Sequence, residues 1–298
     1  MSVLETGDLN LPNQIIDPWL GKVRAGSAVA TLSSAIPMKF GKGQAFVFDI
    51  GEAEYVGEGA NKGPSDITTT IQTVDPFKFH KTVRMTDEVL WADEDYQLEV
   101  VEQILSQIQP ALSRALDYGV FHGINPATGA AVTAMSTKLS DTTNSVTAGA
   151  GDAPYVALDA AGLLVLEGAN VPSGVALDPS YAAAFAGFRT DAGVKLYPEL
   201  RLATDAGTID GHGAAVSRTV SASGVIDPAT GIKAFVGDFD AIRWGIQKQI
   251  GLEVIRYGDP DGQGDLQRNN QVAFRAEVVY GWGIADLDAF AKITETAD

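Results

Sequence analysis

The sequence predicts an α+β protein organised around a long β excursion and one long helix. Three observations carry this. Residues alternate in a β-like way from Gln44 to Arg84, and again from Gln271 to Tyr280. Between the two, apolar residues fall at steps of three and four over 94–122, which marks one face of a helix. The 298 residues are 45% hydrophobic and 20% charged, too apolar for a disordered chain and without a collagen or coiled-coil period. A compact globe of this mass would expose roughly 12,000 Å². A chain with protruding elements should expose more.

The first 43 residues read as an extended arm with one short amphipathic stretch at Ile15, Ile16, Trp19, Leu20 and Val23. Ala45-Phe46-Val47-Phe48 then runs out and Ile67 to Val74 runs back, around the turn-rich Gly57 to Asp66. Such a two-stranded ribbon is marginally stable alone and needs a partner surface. In the helix, Leu98, Val101, Leu105, Ile108, Leu112, Ala115 and Gly119 form the apolar face, with Asp93 to cap the start and Gly123 to end it. The helix would be about 42 Å long, with a kink expected at Pro110, which removes the backbone bond to Ser106.

From 124 to about 240 the segments are short and mixed. Helices are expected over 157–168 and 180–189, with a strand over 174–178 between them. Two similar turns bracket the block, Asn125-Pro126-Ala127-Thr128-Gly129 and Asp227-Pro228-Ala229-Thr230-Gly231; each follows an isoleucine and uses its glycine for a left-handed residue. The end is β again. Ile250 to Tyr257 forms one strand, 258–267 a loop, and Val272, Phe274, Ala276, Val278 and Tyr280 the apolar face of another.

Composition excludes several functions. No apolar run of membrane-spanning length occurs, and Met1 to Asp8 lacks the basic and apolar parts of a secretory signal. With no cysteine, disulfides, thiolate nucleophiles and zinc–cysteine sites are absent, and cytoplasmic folding is expected. A net charge of −17 argues against gripping nucleic acid by phosphate neutralisation. His80, His122 and His212 show no metal-binding spacing, and the serine-hydrolase elbow, phosphate loop and dinucleotide fingerprint are all missing. Each histidine reads as a structural residue. Asp259 to Asp265 has a calcium-loop composition without its ligand spacing, so it reads as a surface turn. No catalytic residue, metal or cofactor is expected.

One charge feature stands out. Residues 85–123 hold 8 acids and 1 base, and no Lys or Arg occurs from Met85 through Ser113. Acids favour a helix N-terminus, but Asp87, Glu88, Asp93, Glu94, Asp95, Glu99 and Glu102 exceed what capping needs. A basic external partner would account for them.

The wording of the sequence is also specific. Ala53-Glu54-Tyr55-Val56-Gly57-Glu58-Gly59-Ala60-Asn61-Lys62 followed by Ser65-Asp66, then Val83 to Leu90, Arg114 to Gly123, Val236-Gly237-Asp238-Phe239 and Val272 to Ile293, resembles the major capsid protein of tailed double-stranded DNA phages, the Hong Kong 97 fold. The resemblance implies an L-shaped subunit. Its parts would be an N-terminal arm at 1–43, an extended loop at 44–84, a peripheral domain with the spine helix at 85–123, an axial domain at 124–240, and peripheral return strands at 241–298. It implies hexamers and pentamers closing an icosahedral shell in the virion around DNA bound without sequence specificity, assembled in the host cytoplasm and away from membranes. Portal, scaffolding and decoration proteins would be partners. No long extension precedes the arm, so a separate scaffolding protein, or none, is expected. Some relatives crosslink a lysine to an asparagine; Lys62, Asn269 and Asn270 are present, but the motif does not fix those roles.

An encapsulin-like compartment is the alternative with the same fold, and a monomeric β-rich hydrolase the alternative of another class. On the returning strand, Lys78, His80, Thr82 and Arg84 alternate with Phe77, Phe79, Lys81 and Val83. In the resembled fold the extended loop crosses an adjacent subunit. The basic strand is therefore expected to dock, apolar face down, on a neighbour's acidic segment. Candidate inter-subunit contacts are Glu58, Lys62, Phe77, Lys78, Phe79 and Arg84 on the loop, and Asp87, Glu94 and Glu99 on the acidic segment.

Overall fold

The computed structural model describes residues 26–39, 41–49, 55–56, 58, 68–88, 94–149, 151–190 and 192–295. The amphipathic stretch of the arm, Asp93 and Lys62 lie outside them. The helices are α1 (Ala28–Leu32), α2 (Glu94–His122), α3 (Pro154–Glu167) and α4 (Pro179–Gly187). The strands are β1 (Gly43–Asp49), β2 (Thr68–Thr86), β3 (Ser145–Ala148), β4 (Gly174–Leu177), β5 (Gly207–Ile209), β6 (His212–Val216), β7 (Ile232–Gly237), β8 (Ile242–Ile255), β9 (Gln271–Ile284) and β10 (Phe290–Glu295). They form two sheets, in the orders β1-β2-β9-β8 and β3-β10-β7-β4-β6-β5.

The excursion is a hairpin, as its alternation predicts. β1 runs antiparallel to the first part of β2, from Gly43 opposite Val74 to Asp49 opposite Thr68. The rest of β2, Asp75 to Thr86, pairs instead with β9. One 19-residue strand therefore serves two structures: residues 75–86 pair with β9 in the body, and residues 68–74 belong to a ribbon whose only strand pairing among the described residues is with itself.

Helix α2 has the expected bounds, 29 residues continuous across Pro110. Gly123 ends it at φ +62°, its N–H bonded to the Gly119 carbonyl at 3.0 Å, a left-handed cap. The expected apolar face is buried at Ile108, Leu112 and Ala115, but Leu116, Asp117, Val120, Phe121 and His122 are buried too. The amphipathic reading fails over this last part because the helix end packs against α1 and β9 and is hydrogen-bonded to the 217–222 loop. Gly119 shows how close this is, since a Cβ there would sit 2.5 Å from the Trp282 ring.

The six-stranded sheet separates two cores. Ala176, Ala215, Phe235 and Phe290 face α1 and α2, while Val175, Leu177, Ala214 and Val236 face α3 and α4. Strand alternation accounts for the division. The isoleucines that precede the two bracketing turns meet in space, Ile124 and Ile226 clustering with Tyr118 and Ala222. Both turn glycines are left-handed, Gly129 at φ +71° and Gly231 at +73°. The chain exposes 17,213 Å², well above the roughly 12,000 Å² of a compact globe. No helix among the described residues is long and apolar enough to cross a membrane.

Candidate assembly surfaces

The basic strand was expected to carry the contact chemistry, and its geometry is now explicit. Its apolar face lies inward: Phe77 packs on Trp282 with ring centroids 4.2 Å apart, and Phe79 lies 6.1 Å from Tyr280. Val83 and Met85 join the same core. That face is already half-buried against the chain's own core, which leaves only part of it to a neighbour.

The opposite face finds acids within the chain. Lys78 Nζ lies 2.7 Å from Glu277. Arg84 bridges the carboxylates of Asp259 and Asp261, donates to the Gly264 carbonyl at 2.8 Å, and reaches Gln271 at 3.1 Å. The hydrogen bond that Arg84 donates to Asp261, helped by both carboxylate charges, holds the guanidinium pKa above its usual value, and the same bond holds the Asp261 carboxyl below its own. The loop that resembled a calcium site in composition is thus a receptor for Arg84. Arg275 adds a bond to the Pro260 carbonyl at 2.8 Å, tying the 258–267 loop to both β2 and β9.

A second constellation is one that sequence reasoning missed. Asp117, on α2, is fully buried and accepts four hydrogen bonds. Ser27 Oγ and the Val29 N–H donate to one oxygen; the Ala28 N–H and Thr219 Oγ1 donate to the other, at 3.0 and 2.8 Å. The carboxylate thereby caps α1, which lies within the arm segment, from a distant part of the chain. Burial pushes its pKa up, against the lowering effect of the donors. One turn further on, the His122 ring lies with Nε2 2.9 and 3.0 Å from the carbonyls of Thr219 and Val220. Those acceptors require an Nε2–H donor, and burial holds the ring pKa below its usual value. His122 is therefore structural, as expected. Together the two side chains fasten the 217–222 loop to α2. A buried Asp at a helical position that also suits a solvated acid gives no signal in sequence.

Glu58 is exposed, and Asp87 donates its backbone N–H to the Asn270 carbonyl at 2.9 Å. Glu94 opens α2 and Glu99 follows in its second turn. A cavity of about 840 Å³ opens beside α2, with Arg114, Tyr118 and Arg218 on its wall. No cluster of metal-ligating side chains occurs among the described residues.

A model of the phage capsid family matches residues 7–294. No curated protein matches the chain. Among solved structures, one from Mycobacterium phage Ogopogo is 44% identical, with TM-score 0.78, covering 91% of this chain and 92% of its own. One from Gordonia phage Cozz is 31% identical, with TM-score 0.73 and coverages of 91% and 87%. The capsid of a native GTA particle shares the fold at 16% identity and TM-score 0.58, covering 92% of this chain and 91% of its own.

Proposed function

This chain belongs to the phage capsid family, a structural major capsid protein of a self-assembling shell, and from that premise we propose how it builds one. The observation that carries the proposal is the ribbon formed by β1 and the first part of β2. It hydrogen-bonds only to itself among the described strands, and such a ribbon is marginal in water. An adjacent subunit supplies the surface it lacks.

In this reading residues 1–43 are the arm and 44–84 the extended loop. The peripheral domain comprises 85–123 and 241–298, and 124–240 is the axial domain. Glu58 and Lys62 near the end of the loop, and the acids Asp87, Glu94 and Glu99, are the side chains offered to neighbours. Phe77, Phe79, Lys78 and Arg84 chiefly hold the shared strand in place. Hexamers and pentamers close an icosahedral shell around double-stranded DNA, with portal, scaffolding and decoration proteins as partners and assembly in the host cytoplasm. The role is structural, and no catalytic step is assigned to it. Match to a phage family favours this over a cellular cage or a monomeric hydrolase.

Expression of the chain with and without its neighbouring phage genes, followed by gradient sedimentation and electron microscopy, tests the reading. Closed shells are expected in at least one case. Only a species near 31 kDa in both would overturn it.

A further inference from the structure

Helix α3 is apolar on two faces at once. Ala157, Leu158, Ala161 and Val165 are buried beneath it, yet Val156, Leu163 and Leu166 on its outer side are 49%, 56% and 53% exposed. Asp159 and Glu167 are its only charges. A helix apolar all round belongs in an interior, so the single chain leaves this one incompletely covered. Beside Leu163 and Leu166 a cavity of about 400 Å³ is lined by Val171, Pro172, Val175 and Val236. Its polar lining is Asp159, Asp210 and His212, with no Lys or Arg.

A complementary projection stands at the other end of α3. There Tyr155 meets Phe188 edge-on, with ring centroids 5.6 Å apart, and Phe188 opens a small hairpin. The Thr190 N–H donates to Val194 at 2.9 Å, the Leu196 N–H to Phe188 at 3.2 Å, and Arg189 pairs with Lys195 across it. Val194 and Leu196 are 64% and 43% exposed, flanked by two exposed cations, Arg189 and Lys195. Lys195 makes no ion pair among the described residues.

We propose that the 188–196 hairpin of one copy seats in the α3 groove of the next. Val194 and Leu196 cover Leu163 and Leu166, and Lys195 turns toward Asp159 and Asp210. The apolar surfaces match in kind, and Arg189 and Lys195 are opposite in sign to Asp159 and Asp210. Projection and groove are different surfaces of one chain, so the contact is heterologous, and its repetition closes a ring instead of a two-fold pair. The inference rests on the shell reading and adds the surfaces that join neighbours around each ring.

The chain has no cysteine, so a full-length Leu166→Cys, Val194→Cys double variant carries only two thiols. Particles treated with a short bismaleimide and denatured in detergent should give a ladder of covalent multimers ending at a closed ring, while each single variant stays monomeric. Normal particles that yield only monomer overturn the inference and leave the shell reading standing; wild-type chain that never assembles removes the shell reading instead. Should the double variant fail to assemble, the charges decide. Lys195→Glu lowers particle yield at low salt, by about fivefold if one exposed pair is lost, and adding Asp159→Lys restores it. An unchanged yield, or no recovery, overturns the inference.

Discussion

Replacing Asp117 by Asn tests whether one buried carboxylate ties α1 to α2 and the 217–222 loop. Each carboxylate oxygen accepts one backbone N–H and one hydroxyl: Val29 N–H with Ser27 on one, Ala28 N–H with Thr219 on the other. An amide keeps only one acceptor oxygen. Its NH₂ must face one of the two pairs, where the hydroxyl can turn to accept but the backbone N–H cannot. Either orientation therefore leaves one buried N–H against another donor, costing ~1–3 kcal/mol. The remaining bonds also lose their charge assistance, while relief from burying a charge offsets part of the loss. The net expectation is a destabilisation of about 2–4 kcal/mol. Asp117→Ala strands both backbone donors and should cost more. Urea unfolding of unassembled capsomers measures both, and limited proteolysis near residue 27 should show α1 opening first. An Asn variant within ~0.5 kcal/mol of wild type, or an Ala variant no worse than Asn, would refute this account of the site.

Gly119→Ala places a methyl 2.5 Å from Trp282, a buried ring already packed against Phe77, and should cost about 1–3 kcal/mol by overpacking, read as a fall in the urea midpoint. Tyr280 buries a phenol without a hydrogen-bond partner among the described residues, so Tyr280→Phe should leave that midpoint unchanged or raise it; a clear loss would show that the hydroxyl is bonded. For His122 the folded pKa lies below the unfolded value. The unfolded chain therefore binds more protons between the two, and stability falls as pH drops below about 6.5. The difference between wild type and His122→Gln should shift across that interval, and a constant difference from pH 7.5 to 5 would contradict the assignment. Shells should melt well above free capsomers, with or without reducing agent, because each copy is held by several neighbours.

The long elements were legible because their periodicity is long. Helix α2 matches its expected bounds at both ends, and the ribbon's two strands fall where alternation placed them. β8 begins at Ile242, eight residues before the expected Ile250, because its register shifts between Ile246 and Lys248 and the alternation breaks there. The short strands β3, β5, β6 and β7 carry too few residues for a period to declare itself. Charges were legible as a pattern and illegible as pairs. Arg84 was expected to seek a neighbour's acids, yet the acids it meets lie some 175 residues away in its own chain, in a loop whose composition reads only as a turn. Asp117 was hidden for the converse reason. Its donors, Ser27, Ala28, Val29 and Thr219, come from two distant segments that only the fold brings together.

In the proposed shell neighbours complete this chain, above all along the ribbon of residues 43–49 and 68–74. A cryo-electron-microscopy reconstruction of assembled particles measures this directly. The account predicts that the ribbon lies across an adjacent subunit with one face covered over most of its length. A closed shell in which both faces of the ribbon stand in solvent would contradict it.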